Sequence, residues 1–161
     1  MIELVILDID GVLTDGRKYY NSEGMPCMKT YCDKDFTAIK RLRGSGVNVC
    51  FLSGDEFVNK AMAKNRNIDF YSARGKDKAD FIPKLSSVYD ANVEDMLYVG
   101  HAYCPADACV DIKKVCGQNN ILKNNGGCNV IAELVEELLN RGLVNDCTMQ
   151  DIEDLDKKEV F

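Results

Sequence analysis

The chain has 161 residues, of which 46% are hydrophobic and 29% are charged, values typical of one globular domain that can bury its own core. Its net charge of -6 argues against a nucleic-acid-binding protein, because an acidic surface repels phosphates. No apolar run approaches the roughly 18 residues that span a bilayer and no signal-peptide pattern opens the chain, so we expect a cytoplasmic protein without a membrane partner.

Short apolar runs alternate with amphipathic segments. Continuous apolar stretches cover residues 4–7, 47–52 and 96–99, and such strands are typically buried on both faces of a parallel sheet. Helical spacing is found over residues 36–43, 57–65, 78–89 and 130–139. Pro83 should kink the third of these helices or delay its start. The alternation predicts a doubly wound α/β fold with a parallel sheet.

Residues 17–33 interrupt this alternation. The β-prone residues Tyr19 and Tyr20 and the segment 25–31 flank a turn rich in asparagine, serine and glycine, a pattern typical of a β-hairpin. We therefore predict one domain over residues 1–144 with a hairpin inserted after the first strand. Residues 145–161 are predicted to form an acidic C-terminal tail, either a mobile end or a loosely docked helix.

Polar residues with complementary chemistry follow the predicted strands. Asp8 and Asp10 come directly after the first strand, Ser53 and Gly54 end the second, and Lys78 lies at a helix start. Ligands of open α/β sheets bind at the carboxyl ends of the strands. Two carboxylates so close together favour a bound cation such as Mg²⁺, and a hydroxyl, backbone N–H groups and a lysine can hold a phosphoryl group. The pattern predicts phosphoryl transfer.

Each signal has a plainer interpretation. Asp8 and Asp10 could be two acids of a solvated turn, although their place between an apolar strand and a glycine favours function. Ser53 with Gly54 could be a helix N-cap. Lys78 could be a surface lysine, and Lys76 is a rival for its role.

The eight cysteines leave a further interpretation open. In a reducing compartment cysteines are more often buried thiols than disulfides, and the apolar surroundings of Cys50 and Cys116 predict core positions. Two pairs, Cys27/Cys32 and Cys104/Cys109, have a spacing that is loosely similar to that of zinc ligands. A cysteine-based metal-binding module is therefore the weakest of the hypotheses.

Residues 8–16, Asp-Ile-Asp-Gly-Val-Leu-Thr-Asp-Gly, resemble the first motif of the haloacid dehalogenase superfamily of phosphatases. Ser53 resembles the second motif and Lys78 the third. The hairpin, residues 34–39 and residues 104–108 are similar to the capless 3-deoxy-manno-octulosonate 8-phosphate phosphatases and to the phosphatase-like domain of some acylneuraminate cytidylyltransferases. The resemblance covers nearly all of residues 1–139 and implies a fold without a cap domain.

The resemblance implies a role for each matching residue. Asp8 would be the nucleophile that forms an aspartyl-phosphate, and Asp10 would protonate the leaving alcohol and then activate water. Ser53, Gly54 and Lys78 would bind the phosphate, while the Asp8 carboxylate and the Asp10 backbone carbonyl would hold Mg²⁺. The implied substrate is a small 2-keto-3-deoxy sugar acid phosphate. The implied assembly is a homotetramer whose hairpin closes over a neighbouring site.

The chain departs from the family pattern after the third apolar run. Relatives carry an acidic loop there, followed by a helix, whereas Gly100 is followed here by His-Ala-Tyr-Cys-Pro. We infer that the acidic loop and its helix are deleted, which would weaken Mg²⁺ binding. We do not expect Asp107 to replace the lost carboxylate. His101, the only histidine, is interpreted as structural.

A second departure lies near the C-terminus, where Ala132 replaces an arginine of the relatives. Asp35 is either an N-cap or a residue near the substrate. The two departures support a second hypothesis, a catalytically impaired domain with an assembly or regulatory role in acylneuraminate activation.

Overall fold

The structure is a computed structural model that describes residues 1–160. Its strands are β1 (Leu4–Leu7), β2 (Tyr19–Tyr20), β3 (Pro26–Met28), β4 (Asn48–Ser53), β5 (Asp69–Ser72) and β6 (Met96–Val99). Its helices are α1 (Asp33–Gly44), α2 (Phe57–Asn65), α3 (Ile82–Tyr89), α4 (Val110–Cys116), α5 (Val130–Asn140) and α6 (Met149–Asp156). Four parallel strands form one sheet in the order β5-β4-β1-β6. Over residues 1–160, every helix is too short or too polar to cross a bilayer.

Strand β1 lies at the centre of the fold, and all four of its side chains are fully buried. Leu4 and Ile6 point to one face of the sheet and pack in a cluster that includes Leu85 of α3. Val5 and Leu7 point to the other face, where helices α1 and α5 contribute to the larger core cluster. Burial on both faces explains why the strand is continuously apolar, and it confirms the predicted α/β fold with a parallel sheet.

Some helices and strands begin at residues, or lie at positions, that the sequence pattern did not mark. Strand β5 was not predicted, because it is an edge strand that begins with exposed Asp69 and buries its side chains only in part. Helix α1 begins at Asp33, because its acidic first turn lies ahead of the apolar stripe. A 3₁₀ turn over Lys78–Phe81 precedes α3, which has Pro83 in its first turn. This arrangement confirms the delayed start predicted from the proline.

The inserted hairpin is present as β2 and β3, which pair antiparallel. The Asn21 side chain closes its turn by accepting from the backbone N–H groups of Glu23 and Met25 at 3.0 and 2.9 Å. Tyr19 and Tyr20 are 51% and 62% exposed, so the hairpin contributes little to the core. The chain then returns to the body of the protein at Lys29.

The C-terminal segment packs against the domain through α6. Lys40 of α1 pairs with Asp156 and lies 3.5 Å from Glu159. Arg66 lies 3.0 Å from Glu159, whose side chain is only 3% exposed. A carboxylate this deeply buried needs partners to offset its desolvation. The ion pairs around Glu159 therefore anchor the end of the chain.

We expect Glu159→Gln to lower the free energy of unfolding by about 2 kcal/mol, because the variant removes the buried negative charge that pairs with Lys40 and Arg66. Urea denaturation would measure the loss. Asp111→Asn is the control, since Asp111 forms an exposed pair with Lys114 and such pairs contribute little. Equal stability of the two variants would contradict the anchoring role of Glu159.

Candidate active site

The predicted site residues meet at the carboxyl edge of the sheet. Asp8 follows β1, and Lys78 opens the 3₁₀ turn before α3. The Lys78 Nζ lies 2.5 Å from Asp8 Oδ2. The other carboxylate oxygen of Asp8 accepts from the backbone N–H of Ile9 at 2.8 Å. The structure thus brings Asp8 and Lys78, which are 70 residues apart in the sequence, into direct contact.

Tyr98 of β6 completes this contact, although the sequence pattern did not identify it. Its hydroxyl lies 3.1 Å from Lys78 Nζ and donates to Asp8 Oδ2 at 3.4 Å. Burial raises the pKa of Tyr98, and the charge of Asp8 raises it further. The phenol therefore stays protonated at neutral pH and remains a donor to the Asp8 carboxylate.

The loop after β1 is fixed by a buried threonine. Thr14 Oγ1 accepts from the backbone N–H groups of Gly11 and Gly16 at 3.3 and 3.2 Å, and Thr14 is fully buried. Gly11 has a φ of +83°, which favours glycine because a Cβ is strained in that region. This local chemistry explains how Asp8 and Asp10 are presented from a rigid turn.

Asp10 is held by two side chains that the sequence analysis missed. Lys29 Nζ lies 2.6 Å from Asp10 Oδ1. Asn59 of α2 donates its Nδ2 to Asp10 Oδ2 at 3.4 Å and to Ser53 Oγ at 3.2 Å. The structure therefore joins Asp10 and Ser53 into one hydrogen-bond network, with exposed Gly54 next in the chain.

Asp55 forms the outer part of this network. Its Oδ2 lies 2.7 Å from Lys18 Nζ and 2.9 Å from Lys29 Nζ. Desolvation would raise the pKa of Asp55, but the bonds from Lys18 and Lys29 outweigh it and lower the pKa to about 2. Asp55 is therefore ionised at neutral pH and balances two lysines.

A cavity of about 320 Å³ opens beside the two aspartates. Four of its lining residues are acidic, namely Asp8, Asp10, Asp15 and Asp107. Oxygen donors of this kind suit a hard cation such as Mg²⁺, which keeps several waters and needs only one or two carboxylates. Within residues 1–160, no three histidine, cysteine, aspartate or glutamate side chains converge as a metal-binding group. The donors fit a cation held by few protein oxygens and completed by water.

The segment after β6 is a tight turn. Gly100 has a φ of +136°, its N–H donates to the carbonyl of Tyr103 at 2.8 Å, and Tyr103 pairs with Val99 as an isolated parallel bridge. The turn over residues 100–103 contains no carboxylate. Asp107 lies beyond it and accepts from the backbone N–H of Gly126 at 3.0 Å, while His101 packs edge-on against Tyr98 with ring centroids 5.4 Å apart.

Asp35 caps a helix other than its own. It is fully buried, and its Oδ1 accepts from the N–H groups of Ile131 and Ala132 at 2.9 and 3.0 Å. Burial raises the pKa of Asp35, and the N–H groups at the start of α5 partly offset this rise. Ala132 thus contacts Asp35 through its backbone.

Within residues 1–160, the cysteines form no cluster that could hold a metal ion. All eight cysteines are free, and Cys50 and Cys116 are buried as predicted. Burial raises the pKa of Cys50 and of Cys104 to about 12, so both thiols are protonated at neutral pH and are poor nucleophiles.

Comparisons with known proteins agree with this geometry. No protein-family model matches the chain. The 3-deoxy-D-manno-octulosonate 8-phosphate phosphatase of Haemophilus influenzae is 25% identical over 152 residues, which cover 86% of this chain and 83% of the relative. A cobalt-bound structure of the Haemophilus influenzae deoxy-D-mannose-octulosonate 8-phosphate phosphatase gives a TM-score of 0.77 at 27% identity, covering 86% of this chain and 88% of that one.

A third relative shares the fold. The Moraxella catarrhalis phosphatase for the same ester, in complex with magnesium, phosphate and the octulosonate, gives a TM-score of 0.76 at 23% identity, with 86% of each chain covered. By sequence and by fold, the chain is similar to the 3-deoxy-manno-octulosonate 8-phosphate phosphatases, the branch of the haloacid dehalogenase superfamily that its motifs resemble.

Proposed function

We propose that the chain is a Mg²⁺-dependent phosphomonoester hydrolase acting on a 2-keto-3-deoxy sugar acid phosphate, such as 3-deoxy-manno-octulosonate 8-phosphate. The contact between Asp8 and Lys78 at 2.5 Å carries the proposal, because a carboxylate nucleophile beside a phosphate-binding cation is what aspartyl-phosphate chemistry needs. The names of the relatives support the class of substrate, and the magnesium and phosphate of the Moraxella catarrhalis structure support the cofactor.

In the first half-reaction, a carboxylate oxygen of Asp8 attacks phosphorus and the ester P–O bond breaks. The leaving alkoxide takes a proton from Asp10. Lys78, the Ser53 hydroxyl and the backbone N–H of Gly54 would bind the phosphoryl oxygens. Lys78 contributes a fixed positive charge at the attacking carboxylate, which draws the phosphoryl group and Asp8 together.

In the second half-reaction, water attacks the phosphorus of the aspartyl-phosphate and gives its proton to Asp10. The bond between phosphorus and Asp8 breaks, so phosphate leaves and both aspartates return to their starting states. One water is consumed and no redox partner is needed. The Asp8 carboxylate and the Asp10 backbone carbonyl would hold Mg²⁺, which neutralises charge on the phosphoryl oxygens when it is bound.

The alternative is a catalytically impaired domain that serves assembly or regulation in acylneuraminate activation. The turn over residues 100–103 supports it, because no carboxylate lies there to complete the metal site. Such a domain would bind Mg²⁺ weakly and would turn over phosphate esters only at background rates.

We also propose that the chain acts in the cytoplasm as a homotetramer. The exposed apolar hairpin supports the assembly, since Tyr20 and Met28 are 62% and 52% exposed and single domains rarely leave such side chains grouped without a partner. The acidic net charge of -6 supports a small-molecule substrate over nucleic acid.

Phosphate release from a panel of esters would test the proposed function. We expect Mg²⁺-dependent hydrolysis with kcat/KM at least about tenfold higher for the octulosonate phosphate than for a hexose 6-phosphate that lacks the carboxylate. Chelation of the metal should reduce both rates to background. Background rates with and without Mg²⁺ would favour the impaired domain, while equal rates on the two esters would contradict the proposed substrate class.

A further inference from the structure

Lys29 is the most deeply buried charged side chain near the cavity. Its side chain is 0% exposed, although its ammonium group is surrounded by ionic and polar oxygens. The partners of Nζ are Asp10 Oδ1 at 2.6 Å, Asp55 Oδ2 at 2.9 Å and Asn59 Oδ1 at 2.9 Å. Three acceptors satisfy the three N–H donors of an ammonium group, so Lys29 is fully committed to the protein and has no donor left for a substrate.

Asn59 depends on Lys29 for its orientation. Its Oδ1 accepts from Lys29 Nζ at 2.9 Å and from the Tyr31 hydroxyl at 3.0 Å. The opposite end of the same amide, Nδ2, therefore points toward Asp10 Oδ2 and Ser53 Oγ, at 3.4 and 3.2 Å. Asn59 is fully buried, so no water competes for these positions.

The two side chains together hold both oxygens of Asp10. Lys29 binds Oδ1 and Asn59 binds Oδ2, both from the protein side, while Asp10 also lines the cavity. Donors at both oxygens favour one orientation of the Asp10 carboxyl group. Asp10, the proposed proton donor, would thus be oriented before a substrate binds.

We propose that Lys29 is a positioning residue for proton transfer by Asp10, acting both directly and through Asn59. The inference rests on the proposed function, in which Asp10 protonates the leaving alcohol and then activates water. It also gives the hairpin a second use, because Lys29 directly follows Met28, the last residue of β3. Folding of the hairpin is thereby linked to the orientation of the Asp10 carboxyl group.

Leaving-group dependence tests the proposal on the full chain with Mg²⁺. An alkyl phosphate needs its leaving group protonated, whereas p-nitrophenyl phosphate releases a stable phenolate and needs little protonation. Lys29→Met should lower kcat for the alkyl ester and the initial burst rate for the aryl ester by different factors. We expect the fold-loss in kcat for the alkyl ester to be at least about tenfold larger than the fold-loss in the burst rate for the aryl ester. KM should change by less than about twofold, since Lys29 does not contact the substrate.

Asp10→Asn supplies the comparison. If Lys29 acts through Asp10, the double variant Lys29→Met/Asp10→Asn should be no slower than Asp10→Asn alone. The proposal is wrong if the rate losses of the two single variants multiply in the double variant. It is also wrong if Lys29→Met slows both esters by the same factor. Failure of the proposed function has a different signature, because the wild-type chain and Asp8→Asn would then release phosphate at the same background rate.

Lys29→Met leaves two carboxylates facing a buried methyl group, and the variant could fail to fold. Lys29→Met/Asp55→Asn removes one positive and one negative charge, so Lys18 and Asp10 remain and the network stays neutral overall. We expect it to show the same leaving-group dependence as Lys29→Met. A leaving-group dependence equal to that of the wild type in this double variant would contradict a role of Lys29 through Asp10.

Discussion

Replacing Asp8 with asparagine is expected to abolish ester hydrolysis, with kcat at least about 10³-fold below that of the wild type. The amide has nearly the size of the carboxylate and can still accept from the Ile9 N–H, a bond of 2.8 Å in the structure. It lacks the charge that attacks phosphorus and that pairs with Lys78 at 2.5 Å. Steady-state phosphate release, followed with Mg²⁺ on the best ester of the panel, measures the loss.

A trapped intermediate makes this test specific. Acid quenching of the wild-type chain during turnover of a ³²P-labelled ester should retain label on the protein, whereas Asp8→Asn should retain none. Asp111→Asn is the matched control, because it makes the same chemical change at a side chain that is 88% exposed. Label on Asp8→Asn, or a loss of label from Asp111→Asn, would contradict the assignment of Asp8.

The sequence was sufficient to predict where Asp8 and Ser53 lie, because two physical rules act together. Continuous apolar runs mark strands that are buried on both faces, and parallel strands bring their carboxyl ends to one edge. Neither rule needs contacts between distant residues. Lys78 differs, because it follows β5, which the pattern did not predict, and it was identified only as a lysine at a helix start.

The other half of the site could not be predicted in this way. Lys29 and Asn59 lie 19 and 49 residues from Asp10 in the sequence, and neither follows a strand of the four-stranded parallel sheet. A lysine after a hairpin and an asparagine inside a helix are ordinarily exposed, so their type carried no signal. Asp55 lies two residues after Ser53 in the sequence, but its role depends on Lys18 and Lys29, which only the fold brings into contact with it.

The missing motif led us to infer a deletion after β6, but it did not predict how the chain continues there. In the structure Tyr103 pairs with Val99, and Cys104 pairs with Ile121, so the parallel order continues through isolated bridges. The turn over residues 100–103 thus contains no carboxylate, and the backbone of Asp8 is still supported by β6, since the Asp8 N–H donates to the carbonyl of Val99 at 3.2 Å.

Gly126 and Gly127 support the loop after β1 from behind. The Gly127 N–H donates to the carbonyl of Val12 at 2.8 Å. A Cβ placed on Gly126 would lie 2.6 Å from the carbonyl carbon of Gly11, nearer still to its oxygen, and 2.8 Å from the carbonyl oxygen of Thr14. Backbone atoms cannot swing aside like the end of a side chain, so the close approach requires glycine.

Gly126→Ala is therefore expected to displace the loop that carries Asp8 and Asp10. A shift of about 1 Å in reacting groups can cost on the order of 10²-fold in rate, so we expect kcat to fall by about that factor. The free energy of unfolding should fall by about 2 kcal/mol as the contact is forced apart. Phosphate-release kinetics and urea denaturation on the same preparation would measure both.

Gly142→Ala separates displacement from simple destabilisation. Gly142 has a φ of +64° at the end of α5, and its Cβ would meet no atom within 4 Å, so alanine strains the backbone there by roughly 1 kcal/mol without touching the site. We expect this variant to lose stability and keep the wild-type kcat. If Gly126→Ala also kept the wild-type kcat, the close approach of Gly126 to the loop after β1 would not be what positions Asp8 and Asp10 at the cavity.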